Sequence, residues 1–185
     1  MGIYMRCPKF RHLALLLLLL AGLSPAQAKP GRHPPFETTG TVIKIPDGDT
    51  IRLDTSDHGV LDVRLSGADT PEKGQAYWKA ARGYLRSLVA GQTTTVWCYK
   101  RDRYDREVCH VRVGSRDLGE ALIAEGYAWY PLQFSGELTL KQRQSYQLAA
   151  EQARVRKTGI WQEPDPMPPW ECRKYKRAGN SQLCR

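Results

Sequence analysis

The chain has 185 residues, of which 41% are hydrophobic and 25% charged, and a net charge of +9. Such a length suits a single domain able to bury its own core. The composition excludes a disordered tail protein, a collagen-like chain and a multi-span membrane protein, and the basic balance points to an anionic partner wherever the charge is clustered.

Arg6, Lys9 and Arg11 precede an apolar, leucine-dominated run over residues 13–23, followed by Ser24-Pro25-Ala26-Gln27-Ala28. A basic start, a short apolar stretch and an Ala-x-Ala end predict a secretory signal peptide, residues 1–28, cleaved after Ala28. The apolar run would reach only about half way across a ~30 Å hydrocarbon core, which disfavours a membrane anchor. The expectation is an exported monomer, periplasmic or extracellular, without stable membrane association after cleavage. Losing three bases and no acid leaves +6, and residues 153–185 alone hold eight bases against three acids. The excess charge therefore sits mainly in the C-terminal segment. Cleavage also removes Cys7 and leaves Cys98, Cys109, Cys172 and Cys184. An even count in an exported chain suits two disulfides. Of three possible pairings, the local one is favoured: Cys98 and Cys109 across a hairpin, and Cys172 with Cys184 around a short terminal loop. No C-x-x-C spacing supports a zinc site.

Residues 29–37 read as a flexible, Pro-rich leader. Val42, Ile43 and Ile45 mark a strand over 40–45, Pro46-Asp47-Gly48-Asp49 is turn chemistry, and residues 50–53 resume a strand. After a second turn at Ser56-Asp57-His58-Gly59, Leu61, Val63 and Leu65 alternate with Asp62 and Arg64, so the first third predicts a three-stranded meander. Tyr77, Ala81, Tyr84 or Leu85, and Leu88 recur at helical spacing over residues 75–90, and Gly91 ends the helix. Residues 93–99 and 108–113 read as two strands around a charged turn. Asp117-Leu118-Gly119-Glu120 resembles a capping box for a short helix that stops at Gly126. Ser135 is expected to cap a longer helix over about 137–156, closed by Gly159. Pro164, Pro166, Pro168 and Pro169 then argue against regular structure, so residues 162–185 read as a Pro-rich basic tail tied by a disulfide. The pattern is α+β: a five-stranded OB-type barrel with three α-helices over residues 38–161.

Three charged clusters exceed what such a fold needs. Asp47-Gly48-Asp49-Thr50 alone would be an ordinary hairpin turn. Arg64 through Asp69-Thr70-Pro71-Glu72 alone would be a solvated strand with an acidic loop. Asp102-Arg103-Tyr104-Asp105-Arg106 alone would be a charged turn. Together they form a chemical set. Asp49 and Asp69 are hard oxygen ligands suited to Ca²⁺ or Mg²⁺. Glu72 is a carboxylate able to orient or deprotonate a water. Arg64 and Arg106 present planar forks that match phosphate oxygens. Hydrolysis of a phosphodiester needs such cations around the five-coordinate phosphorus.

In this order the three motifs resemble the staphylococcal nuclease-like (thermonuclease) family. The resemblance spans about residues 41–161 and includes Leu118-Gly119-Glu120-Ala121-Leu122, Glu125-Gly126 and Gly159-Ile160-Trp161. It implies an OB-fold barrel and a Ca²⁺-dependent endo/exonuclease that cleaves DNA and RNA to 3′-phosphate ends. It further implies that Asp49 and Asp69 bind calcium through carboxylates and Thr70 through its backbone carbonyl. By the same resemblance, Glu72 activates or positions the attacking water, and Arg64 and Arg106 clamp the phosphate. One departure is visible: the family usually has glycine where this chain has Asp105. Asp is among the residues that best tolerate positive φ, but its charge stands beside Arg106. Tyr130 and Phe134 are placed to stack on bases, although packing in the interior is the favoured reading for both. The competing functions are a non-catalytic nucleic-acid- or protein-binding module on the same barrel, and a phosphodiesterase for small substrates.

Overall fold

A computed structural model describes residues 1–2 and 33–184. Nearly all of the expected signal peptide, and the leader as far as residue 32, lie outside the described residues. Among the described residues no helix is long and apolar enough to cross a membrane.

Alternating and β-branched segments pair as strands β1 (Phe36–Lys44), β2 (Thr50–Thr55), β3 (Gly59–Leu65), β4 (Thr93–Arg101) and β5 (Glu107–Val113). β1 pairs antiparallel with β2 and β4, β2 with β3, and β4 with β5; a parallel pairing of β3 with β5 closes the ring. The result is an α+β, OB-like five-stranded barrel, as the alternation predicted. A two-residue strand β6 (Arg116–Asp117) extends β5 at the rim. The period of two sends Ile51, Leu53, Val63, Leu65, Val96, Cys98, Cys109 and Val111 into the core and leaves Arg64 on the other side of β3. β1 begins at Phe36, within the segment read as a leader, and its ring stacks on His58 with centroids 4.2 Å apart.

Cys98 and Cys109 face each other in register and form a disulfide inside the barrel; Cys172 and Cys184 form the second. Both local pairings expected from the spacing are present.

Helix α1 (Trp78–Val89) buries Ala81, Leu85, Leu88 and Val89 against the barrel. Arg82 Nε ties it to the Ile45 carbonyl at 2.8 Å. α2 (Leu118–Ala124) starts where Asp117 caps the Glu120 N–H. α3 (Leu140–Arg156) begins later than Ser135 suggested. Residues Leu132–Glu137 form a short 3-10 turn, and Thr139 with Gln142 makes the capping box. Tyr146, almost fully buried on α3, donates its hydroxyl to Asp117 Oδ1 at 2.6 Å and so locks α3 to the α2 cap. The two chain ends beyond these helices cross closely: the Ile160 N–H donates to the Gly126 carbonyl at 2.8 Å. A Cβ at Gly159 would stand 2.2 Å from that same carbonyl, and both glycines have positive φ, which explains the residue type at each.

The C-terminal segment departs from the expectation. It carries a fourth helix, α4 (Pro169–Arg177), beyond the three expected of the barrel domain, which makes four α-helices among the described residues. The prolines that argued against structure here start it. Pro169 occupies the first turn, where a missing N–H costs nothing and its fixed φ suits the helix. Cys172 is fully buried, and the Gln75 side-chain amide donates to the Met167 carbonyl at 2.7 Å, so the segment is fastened to the loop before α1.

Candidate active site

Barrel closure brings the three charged motifs together. Thr50 pairs with Arg64 across β2 and β3, and Arg64 pairs with Val108 across β3 and β5. The Asp47–Asp49 turn, the end of β3 and the turn between β4 and β5 therefore meet at one end of the barrel. They line a cleft of about 990 Å³ whose walls include Asp49, Arg64, Asp69, Glu72 and Arg106. Thr70 faces a smaller adjoining pocket that it shares with Asp49 and Glu72.

Arg64 is the hub of this cleft. Its Nη1 lies 3.1 Å from Asp49 Oδ2, its Nη2 donates to Asp69 Oδ1 at 3.0 Å, and Nη1 also donates to the Ala68 carbonyl at 2.8 Å. Burial alone would disfavour its charge, but Asp49, Asp69 and Asp47 outweigh burial and raise its pKa above an ordinary arginine's. Asp49 is the strained partner. Burial pushes its carboxyl above the usual range, the neighbouring Asp47 adds to this, and Arg64 and Thr70 oppose it. Thr70 meets Asp49 through its N–H at 2.8 Å and its hydroxyl at 2.9 Å, both to Oδ2. This close seat needs Gly48, where a Cβ would stand 2.8 Å from the Thr70 hydroxyl and 2.9 Å from the Ala81 Cβ. Asp69 is fixed by a two-way backbone bridge to Trp129, at 3.0 and 2.9 Å.

Arg106 enters from the opposite wall. Asp102 holds it through Nε at 2.8 Å and Nη2 at 2.7 Å, and its Nη1 donates to Thr50 Oγ1 at 3.0 Å. The Asp102 carboxyl is lowered despite partial burial, because Arg106 and two backbone N–H groups bond to it. Asp105 adopts φ 63, the left-handed conformation that glycine serves elsewhere, and its carboxylate points away, to Arg101 Nη1 at 3.2 Å.

Two residues on the site were not anticipated. Arg173, on α4, reaches Asp69 with both Nη atoms, at 3.1 and 2.7 Å, and Glu72 Oε1 at 2.8 Å. Lys176, one turn on, lies 3.4 Å from Glu72 Oε2. The sequence signal was the crowding of bases in a segment closed by two cysteines, which reads by itself only as a basic, disulfide-tied tail. Of the two candidate stacking residues, Tyr130 packs edge-on against Tyr146, whereas Phe134 is 41% exposed and lines the cleft, against the buried role expected for it.

The donor set of Asp49 and Asp69 is all oxygen and anionic, and the buried Asp49 carboxyl would be relieved by a cation, so these residues fit a hard divalent ion. Among the described residues no three carboxylate, histidine or cysteine side chains converge as a ready-made metal cluster. The charges of the pair are met by guanidinium groups instead.

Residues 62–163 match the family model described as Staphylococcal nuclease homologue. The chain belongs to the staphylococcal nuclease family. Its relatives include an Escherichia coli O157:H7 protein described as an uncharacterized endonuclease, 36% identical over 74% of this chain and 86% of the relative. A micrococcal nuclease of Shigella flexneri is 31% identical over 75% of this chain and 82% of its own length. The staphylococcal-like nuclease CAN1 of Arabidopsis thaliana is 33% identical over 64% of this chain but only 35% of its own. As a member of this family the chain keeps the three motifs on one cleft. Asp105 stands in the turn beside that cleft, and the disulfide-closed helix α4 lies against Asp69 and Glu72.

Proposed function

We propose that this protein is an exported, calcium-dependent nuclease that hydrolyses phosphodiester bonds of DNA and RNA and leaves 3′-phosphate ends. The observation that carries the reading is the Arg64 guanidinium spanning Asp49 and Asp69, with Glu72 and Arg106 on the same cleft. A phosphodiester drawn into the cleft meets guanidinium groups from two walls. Arg64 and Arg106 donate to its non-bridging oxygens and gain strength as charge builds there. Glu72 accepts the proton of the attacking water; the new bond joins that oxygen to phosphorus, and the bond to the 5′ oxygen breaks. The 5′ oxygen leaves as a hydroxyl after taking a proton from solvent. Calcium held by Asp49 and Asp69, with Thr70 beside them, would supply Lewis-acid polarisation of the phosphoryl oxygen and the water. Export rests on the basic, apolar and Ala-x-Ala order of residues 1–28 and on an even set of cysteines after its removal.

Heat-denatured DNA and RNA incubated with the purified protein, in millimolar Ca²⁺ and separately in chelator, test the reaction. Short fragments with 3′-phosphate ends in calcium alone are expected. Binding without cleavage in calcium would overturn the reading in favour of a binding module. N-terminal sequencing of protein recovered outside the cytoplasm should begin at Lys29; an intact Met1 would refute export by signal cleavage.

A further inference from the structure

Helix α4 presents Arg173 and Lys176 one turn apart on a single face, and that face covers the acidic side of the cleft. Asp69 is almost fully buried, and both of its carboxylate oxygens are taken. Oδ1 accepts from Arg64 and Arg173, and Oδ2 accepts from Arg173 at 2.7 Å. A cation coordinating Asp69 needs lone pairs that Arg173 now holds. Charge makes the same point. Asp49, Asp69 and Glu72 face Arg64, Arg173 and Lys176, so the acidic cluster is already balanced without a metal. Adding a divalent ion while Arg173 stays in place would set like charges a few ångströms apart in a partly buried site, where repulsion is strong.

We propose that Arg173 is a further residue of the cation site, the resident counter-ion of Asp69 and Glu72, which a divalent cation must displace to bind. The inference rests on the proposed metal role of Asp49 and Asp69.

The C-terminal segment is built to hold such a counter-ion nearby. The Cys172–Cys184 disulfide closes a loop over a sequence separation of 12, next to Arg173 itself. The Gln75 side chain links the two sides of the contact: its amide donates to the Met167 carbonyl, and its Oε1 accepts the Glu72 N–H at 2.8 Å. Lys176 adds a bond to the Lys73 carbonyl at 3.0 Å. Arg173 therefore competes as an intramolecular ligand, at an effective concentration far above that of a free guanidinium. If the Arg173-bound arrangement is favoured about nine to one, the apparent metal Kd is raised about tenfold over the open site.

Calcium binding is measured by calorimetry on the full protein without nucleic acid. Arg173→Gln should bind Ca²⁺ about tenfold more tightly than wild type. Arg173→Lys keeps the charge but cannot span Asp69 and Glu72 together, and should fall between them. Cys172→Ser/Cys184→Ser frees the segment without touching the site and should also tighten binding, which guards against a folding defect peculiar to position 173. Asp49→Asn should abolish binding in every background. Equal or weaker binding by Arg173→Gln, with wild-type protein still cleaving DNA in calcium, would overturn the exchange and leave the nuclease reading standing. No calcium binding by any form would overturn both.

Discussion

The Asp105 carboxylate pairs with Arg101, not with the adjacent Arg106. Arg106 is instead gripped by Asp102 and donates to Thr50. The side chain at 105 therefore leaves the Arg106 guanidinium alone, while its backbone takes a left-handed φ of 63, the conformation that favours glycine. Asp105→Gly should leave hydrolysis within about twofold of wild type. Asp105→Val, a β-branched residue forced to positive φ, should destabilise the turn by roughly 1–2 kcal/mol. Parallel urea melts and cleavage assays decide the matter; a large gain in activity in Asp105→Gly would show that the carboxylate does reach Arg106.

The contacts of Arg64 depend on its planar fork. One guanidinium contacts Asp49 and Asp69 and still bonds the Ala68 carbonyl. An ammonium is a point charge and reaches one carboxylate at a time. Arg64→Lys should lower kcat by about 10²–10³-fold, in the range seen when one preorganised donor to a transition-state oxygen is removed. A change confined to KM would reassign Arg64 to ground-state binding.

Glu72→Gln keeps the shape of the side chain and removes its ability to take a proton. The expected loss in kcat is about 10²–10⁴-fold, the usual range for a positioned general base. Circular dichroism should be unchanged, because the backbone N–H keeps its bond to Gln75 and the Gln side chain keeps an oxygen that can accept from Arg173. Near-wild-type turnover would remove Glu72 from the chemistry.

Much of the fold and of the cleft could be read from residue order. Alternation along β3 sent Val63 and Leu65 inward and Arg64 outward, and the cysteine spacing anticipated both bridges. What escaped was non-local. The parallel β3–β5 pairing that brings Arg106 opposite Thr50 has no local signature. Ser135 is a possible cap by residue type, but α3 starts at Thr139, whose capping box with Gln142 is the stronger local signal. Pro168-Pro169 was read as a helix breaker when proline is equally at home in a first turn. With α4 unrecognised, Arg173 could only be counted as charge, and its contact with Asp69, 104 residues away in sequence, was out of reach.

The Cys98–Cys109 bridge lies in the core and joins directly paired strands. Cys98→Ser/Cys109→Ser should cost about 2–4 kcal/mol, the usual magnitude for a short-loop disulfide. It should leave the cleft chemistry intact under conditions where the variant is folded. A denaturant midpoint equal to that of wild type would contradict the structural role assigned to the bridge.

His110 gives the fold a pH dependence of known sign. It stacks against both Trp97 and Tyr99, each 5.5 Å away by ring centroid, and burial lowers its pKa below 6.5 against the opposing pull of Asp117 and Glu137. Because the folded imidazole is harder to protonate than the unfolded one, the unfolded chain binds more protons as pH falls. The contribution is fully present above the unfolded value of ~6.5 and is lost as pH drops through the window beneath it. Urea melts at pH 8 and pH 5 should therefore show a larger stability loss for wild type than for His110→Phe, which retains an aromatic stack and does not titrate. The other histidines are common to both proteins, so the difference between the two losses isolates His110. Equal losses would mean that the imidazole is as easily protonated in its stack as in the unfolded chain.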